Sequence, residues 1–306
     1  MLPMPTMQNH ATSAIIALVF TQLVWGITPV FVRGISLALG PYDALVVRVI
    51  AVALVFIVLL AMTTGFRLDR PDWPKLIFIS ILGLLGYYIG TVFGFTYVPA
   101  GAGALIMSLA PLQIAIVAFF AGSERLSPMA VLGLLISLAG SGLLVWRDDM
   151  SRGVGFGSPL LLGCAMLFAG CFVWSVFVVY GRPLIQKYGA LKITGLSNII
   201  IALPLLPFMS GNTFNAIADL EARAMAELAF LIFVGGSAAV LSWNYAAGHL
   251  RPSTVGASLY VVPVIAVIAG WAMLGEEITP RILLAAAIIL AGVATSQIKF
   301  KTRSPA

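Results

Sequence analysis

Few residues in this 306-residue chain can do acid–base or ionic chemistry inside an apolar phase. Its eleven acidic residues are Asp43, Asp69, Asp72, Glu124, Asp148, Asp149, Asp219, Glu221, Glu227, Glu276 and Glu277, and each falls in a polar break or about a turn from one. The two histidines, His10 and His249, also stand near boundaries. Proton-driven carriers usually keep a carboxylate or imidazole within the membrane, where the surroundings tune its pKa, and none is evident in the sequence. One cation, Arg48, sits roughly two turns into an apolar run. The preferred reading is that it reaches the interface or pairs with Asp43 rather than facing a cavity. Multiply charged sugar phosphates and nucleotide sugars are therefore poor candidate substrates, because their desolvation needs buried cations. A neutral or zwitterionic solute fits better. No Walker loop, His-x-x-x-His metal spacing or Gly-x-Ser-x-Gly elbow is present, so neither a catalytic site nor a cofactor is expected.

The apolar runs offer aromatic and neutral polar groups instead. Gln22, Trp25 and Pro29 share one helical face at i, i+3 and i+7, and Cys171, Trp174 and Val178 make a corresponding face later in the chain. Tyr87, Tyr88 and Thr91 lie among Gly83, Gly86, Gly90 and Gly94, a row of small residues that lets a neighbouring helix approach. Ser108, Asn244 (within Trp243-Asn244-Tyr245) and Tyr260 complete the candidate substrate-binding set. Aromatic faces can cover an apolar moiety, while indole N–H and hydroxyl groups need an internal partner or a wet cavity. The plainer alternative is helix packing, and Trp73, Trp146 and Trp271 are read as interfacial belt residues. Pro111 and Pro263 are expected mid-helix, each freeing a backbone carbonyl and acting as a hinge; a static kink is the alternative.

These residues must be positioned by membrane-spanning helices. The chain is 61% hydrophobic and 9% charged, with mean hydropathy +1.07, where a soluble globule carries about 25% charged residues. The runs are continuously apolar rather than alternating, so the fold class is an all-α polytopic membrane protein and not a barrel. Ten spans are expected, at 13–33, 42–63, 74–96, 100–121, 128–146, 158–180, 190–209, 225–247, 253–274 and 280–298. The first ten residues have no basic n-region or cleavage signature, so the first span is expected to stay in place. Cys164 and Cys171 share a helix face and are read as packing residues. The net charge of +6 does not indicate nucleic acid, since the basic residues sit in short loops beside spans.

The chain also says one thing twice. Phe95-Thr-Tyr-Val-Pro-Ala, Ser108-Leu-Ala-Pro111 and Gly122-Ser-Glu124-Arg-Leu-Ser-Pro128 are echoed by Tyr245-Ala-Ala-Gly-His-Leu-Arg-Pro252, Tyr260-Val-Val-Pro263 and Leu274-Gly-Glu276-Glu-Ile-Thr-Pro280. Pro111 and Pro263, Glu124 and Glu276, and Pro128 and Pro280 are each 152 positions apart. The expected organisation is a five-helix half at 1–146, a linker at 147–157 and a second five-helix half at 158–306. With both termini cytoplasmic, the inner side receives Arg67, Arg70, Lys75, Arg125, Arg182, Lys187, Lys192, Arg251, Lys299, Lys301 and Arg303. The outer side then receives only Arg33, Arg48, Arg147, Arg152, Arg223 and Arg281. Five spans per half is odd, so the halves are expected to be inverted relative to each other. Glu124 and Glu276 are read as accepting hydrogen bonds from the N–H groups of the helices that start at Pro128 and Pro280.

This doubled helix-pair motif, with its proline and following glutamate, resembles the drug/metabolite transporter superfamily, and within it the ten-helix EamA-type exporters of the aromatic and neutral amino-acid branch. Trp25-Gly26 and Trp174-Ser175 fit the opening of each repeat. The chain departs from strict repetition at Glu276-Glu277 against Glu124-Arg125 and at Tyr260 against Ser108, so the halves do not bring identical groups. The resemblance implies export across the inner membrane. The expectation is a monomeric, alternating-access facilitator of small neutral or zwitterionic metabolites, most of all amino acids including aromatic ones. A proton-coupled efflux pump is the runner-up; a passive channel and a membrane enzyme are the rival classes. The partners expected are a small-molecule substrate and the lipid bilayer.

Overall fold

The computed structural model describes residues 7–122, 128–145, 158–249, 258–259 and 261–296, and among them there is no strand. The helices are α1 (Met7–Ala38), α2 (Pro41–Met62), α3 (Arg70–Tyr97), α4 (Ala100–Phe120) and α5 (Pro128–Val145). They are followed by α6 (Pro159–Tyr188), α7 (Ala190–Phe208), α8 (222–249), α9 (Val261–Leu274) and α10 (Pro280–Ser296), with a short helix at Gly211–Ala218 between α7 and α8. Among the described residues seven are long and apolar enough to cross a bilayer, namely α1 to α4 and α6 to α8. Shorter apolar stretches come from α5, α9 and α10, at Val131–Gly140, Val261–Leu274 and Pro280–Gly292, where the sequence suggests full spans. Many large apolar side chains point outward, among them Ile16, Met62, Phe78, Phe120 and Trp271. In water such a surface would aggregate; in lipid it is the solvated face.

Helix ends follow local chemistry. α1 and α6 run to 32 and 30 residues, past the expected ends at 33 and 180, because nothing stops them before Gly40 and Gly189. Those glycines take φ of 78° and 85°, backbone that a side chain disfavours. As a result Arg33 and Arg182 are carried on helices rather than in loops. Both α3 and α8 contain a stretch wound as π-helix, Ser80–Leu85 and Phe230–Ala238. The wider turn re-aims the residues that follow, which in α3 are Tyr87 and Tyr88.

The two prolines sit differently from expectation. Ser108 and Leu109 form a turn that splits α4 into Ala100–Met107 and Ala110–Phe120, so Pro111 lies in the first turn of a new segment. Pro263 is likewise the third residue of α9. A proline at that place loses no intrahelical donor, which is why the chain restarts there instead of kinking.

The helices pack in a pattern that survives exchange of the first five for the second five. α3 lies on α6 as α8 lies on α1, and α4 lies on α6 as α9 lies on α1; α2 meets α7, α4 meets α9, and α5 meets α10. The α3–α6 contact is backbone to backbone: a Cβ on Gly90 would stand 2.6 Å from the Met166 carbonyl oxygen and 2.7 Å from Cα of Gly170. At α5–α10, Ser137 Oγ donates to the Ile289 carbonyl at 3.1 Å, Gly140 abuts Ile289, and Gly292 abuts Ser137. Positions 137 and 289, and 140 and 292, are again 152 apart, so the two helices meet through equivalent positions, glycine at one pair and Ser137 against Ile289 at the other.

One end of the bundle is tied by Lys187, whose ammonium lies 2.7 Å from both Asp69 and Asp72. Tyr188 donates to Asp72 at 2.6 Å. The ammonium holds the Asp69 carboxyl below the usual carboxylate range. This tether is therefore complete at neutral pH and loosens only as pH falls through the lowered pKa.

Candidate functional site

The opposite end, where α1 and α3 finish and α4 and α6 begin, is tied together by a polar clamp. Arg33 on α1 donates to the carbonyls of Phe95 and Val98 at 2.8 and 2.6 Å, at the C-terminal end of α3. Its Nε lies 3.4 Å from Glu276 in the α9–α10 loop. Glu276 in turn accepts from the N–H groups of Ala100 and Gly101, at 2.7 and 3.2 Å, which open α4. A cation sits at a helix C-terminus and an anion at an N-terminus, each where the peptide dipoles favour it. The carboxylate thus serves α4 of the other half rather than the helix starting at Pro280. It folds back that way because Gly270 leaves room: a Cβ there would stand 2.5 Å from Glu276 Oε2. Glu124 lies outside the described residues.

A second pair lies beside this clamp. Arg223 Nε is 3.0 Å from Glu227, and its Nη2 donates to the Met273 carbonyl at 2.9 Å. Glu227 is buried and lies against Gly34, nearly two turns into α8. One carboxylate therefore is enclosed by the bundle, where the sequence suggested a helix-start residue; the difference arises because α1 continues past Arg33 and covers it.

A cavity of about 960 Å³ opens at this end, lined by Arg33, Tyr97, Gly101, Leu160, Val267 and Glu276 among others. None of the described sequence-predicted site residues lines it. They lie deeper. Trp25 is eight residues below Arg33 on α1, and Tyr88 nine below Tyr97 on α3, about 12–14 Å along each helix. In a hydrocarbon layer of about 30 Å that is near the middle.

The structure gathers these deeper residues in two groups. In one, the Tyr87 ring stands 5.9 Å from both Tyr88 and Trp174. In the other, Trp25 lies 5.0 Å from Trp243 at 35°. Beside it Gln22 is buried, with Nε2 donating to Ser258 at 2.8 Å and Oε1 enclosed without a partner. Each group takes a tryptophan from the first helix of one half and an aromatic ring from the third helix of the other. Thr91 Oγ1 donates to its own helix at Tyr87 and Tyr88, and Ser108 Oγ to Leu105, so both donors are engaged. The Asn244 side chain and Tyr260 lie outside the described residues. Gly26, next to Trp25, admits α9: a Cβ there would be 2.5 Å from Ile265.

Arg48 departs from the sequence reading. It is only 7% exposed, and its guanidinium carbon lies 4.9 Å from the centre of the Tyr88 ring. Asp43 does not hold it, for that carboxylate accepts from Thr213 at 2.7 Å. The helix rotation that buries Val49 and Val52 also turns Arg48 inward.

The EamA-like transporter family model matches residues 12–146 and again residues 161–296. The chain belongs to this family. A probable terminal-alkyne amino-acid exporter from Streptantibioticus cattleyicolor is 26% identical over 296 residues, covering 92% of each chain. An uncharacterized transporter of Archaeoglobus fulgidus is 23% identical over 91% of this chain and 96% of its own. A probable amino-acid metabolite efflux pump from Salmonella typhimurium is 22% identical, over 79% of this chain and 87% of that one. A protein of known crystal structure shares the fold, with TM-score 0.62 at 22% identity and coverage of 94% and 96%. This EamA-like protein is accordingly a multi-pass membrane transporter of small molecules.

Proposed function

We propose that this EamA-like chain exports small neutral or zwitterionic metabolites, foremost amino acids including aromatic ones, across the inner membrane as a facilitator. The observation that carries this reading is the pair of aromatic groups at mid-depth, Trp25 with Trp243 and Trp174 with Tyr87, each built from both halves. Rings so placed cover an apolar side chain, and enclosed amide oxygens such as Gln22 Oε1 accept from an ammonium group. The names of the exporter and efflux-pump relatives support the outward direction.

In this reading 1–146 and 158–306 are inverted five-helix halves joined by 147–157, ten spans in all, with cytoplasmic termini and a monomeric working unit. They alternate access by rocking, and the chain breaks at Pro111 and Pro263 give. The Arg33–Glu276 clamp joins the halves at one face and is the closed gate on that side. Cysteines placed at Arg125 and Glu277 should react with an impermeant reagent from opposite sides; labelling from one side only overturns the inversion.

Uptake into proteoliposomes tests the function. Saturable, competed uptake of radiolabelled amino acids without a pH gradient is expected. Dependence on the gradient would favour a proton-coupled pump, for which Glu227 is the enclosed carboxylate to examine. Trp25→Ala, Trp174→Ala and Tyr87→Ala should each lower uptake at least tenfold with normal expression and monodispersity. Misfolding of all three would return these residues to packing.

A further inference from the structure

A buried cation with no anion beside it calls for one. Among the described residues the ion pairs are Arg33 with Glu276, Lys187 with Asp69 and Asp72, and Arg223 with Glu227; none includes Arg48. Arg48 Nε is fully enclosed and makes no hydrogen bond. The Tyr88 face below the guanidinium contributes a cation–π contact, which does not satisfy its five N–H donors. A lone charge held this way in a membrane protein is costly, and such residues mark substrate paths. Arg48 also stands at the edge of the aromatic group: Tyr88 adjoins Tyr87, and Tyr87 adjoins Trp174. Tyr87 and Trp174 remain half-buried, open to an incoming solute, while Tyr88 is enclosed behind them.

We infer that Arg48 binds the carboxylate of the transported solute, which restricts this site to carboxylate-bearing molecules whose apolar part lies against Tyr87 and Trp174. The inference rests on the transport reading only for the solute's passage; recognition of the carboxylate can be measured apart from it. The planar guanidinium suits a carboxylate, offering two parallel N–H donors to two oxygens.

The test is the melting temperature of purified wild-type protein, titrated with matched pairs: phenylalanine against phenylalaninamide, and phenylacetate against phenylacetamide. Wild type should bind the acid of each pair at least tenfold more tightly than the amide. Arg48→Gln should abolish that preference, Arg48→Lys should restore part of it, and the ligand-free melting temperature of Arg48→Gln should equal or exceed that of wild type, because an uncompensated charge is gone. Equal affinity for acid and amide in wild type, including binding of neither, overturns the inference without any variant. A preference that persists in Arg48→Gln also overturns it. Acid preference without uptake in proteoliposomes would sink the transport reading and leave the carboxylate site. Uptake of acids and amides alike would do the reverse.

Discussion

Replacing Glu276 by alanine is expected to cut uptake by tenfold or more, and the charge-reversed double variant Arg33→Glu with Glu276→Arg is expected not to recover it. Were the clamp a simple ion pair, reversal would restore it. In this protein each partner also serves a helix end of fixed polarity. Glu276 receives the Ala100 and Gly101 N–H groups, and Arg33 donates to the Phe95 and Val98 carbonyls. An arginine at 276 cannot accept from an N–H, and a glutamate at 33 would face carbonyl oxygens. Each hydrogen bond to a charged group is worth about 1.5–3 kcal/mol, the lower end applying because the pair keeps some exposure. Loss of one to two such bonds shifts a two-state equilibrium by about one to two orders of magnitude toward the state in which this end is open. Uptake and counterflow of the double variant decide it: recovery to wild-type rates would show that the dipole-matched contacts contribute nothing.

The second large effect lies at Gly90. Alanine there should lower the detergent melting temperature markedly, and valine should abolish a monodisperse folded protein. The added carbon meets Met166 carbonyl oxygen at 2.6 Å and Gly170 Cα at 2.7 Å, both backbone atoms that move only if α3 and α6 separate. Overpacking of this kind costs about 1–3 kcal/mol for one methyl group. The control is Gly181→Ala, whose added carbon would meet only Ile79 Cδ1 at 3.5 Å. Helix propensity favours alanine over glycine by about 0.5–1 kcal/mol, so Gly181→Ala should be neutral or stabilising. Equal behaviour of the two variants would show that the α3–α6 contact yields.

Hydropathy was sufficient to find the seven described helices long and apolar enough to cross a bilayer, because runs of apolar residues act locally. Pro111 marked a real interruption, although the break falls at Ser108–Leu109, ahead of it. The π stretches of α3 and α8 had no signal, since a one-residue change of winding depends on neighbours such as Val52 against Gly236. Arg33 and Glu276 looked like separate loop charges because their pairing spans 243 positions and needs the α1 extension to place it. Arg48 was misread for a related reason: its sequence position gives depth, while only the rotation of α2 against α3 tells inward from outward. Trp25, Tyr87, Tyr88 and Trp174 were legible as deep aromatics, but their division into two groups depends on which helices cross.

The contact between α5 and α10 has a bearing on how such a chain could be taken apart. Ser137 touches Ile289, Gly140 touches Ile289 and Gly292 touches Ser137, so the two helices meet through equivalent positions of the repeat, with Ser137 on one side and Ile289 on the other. A severed chain co-produced as two fragments keeps one side of this mating surface on each, a built-in address for reassembly.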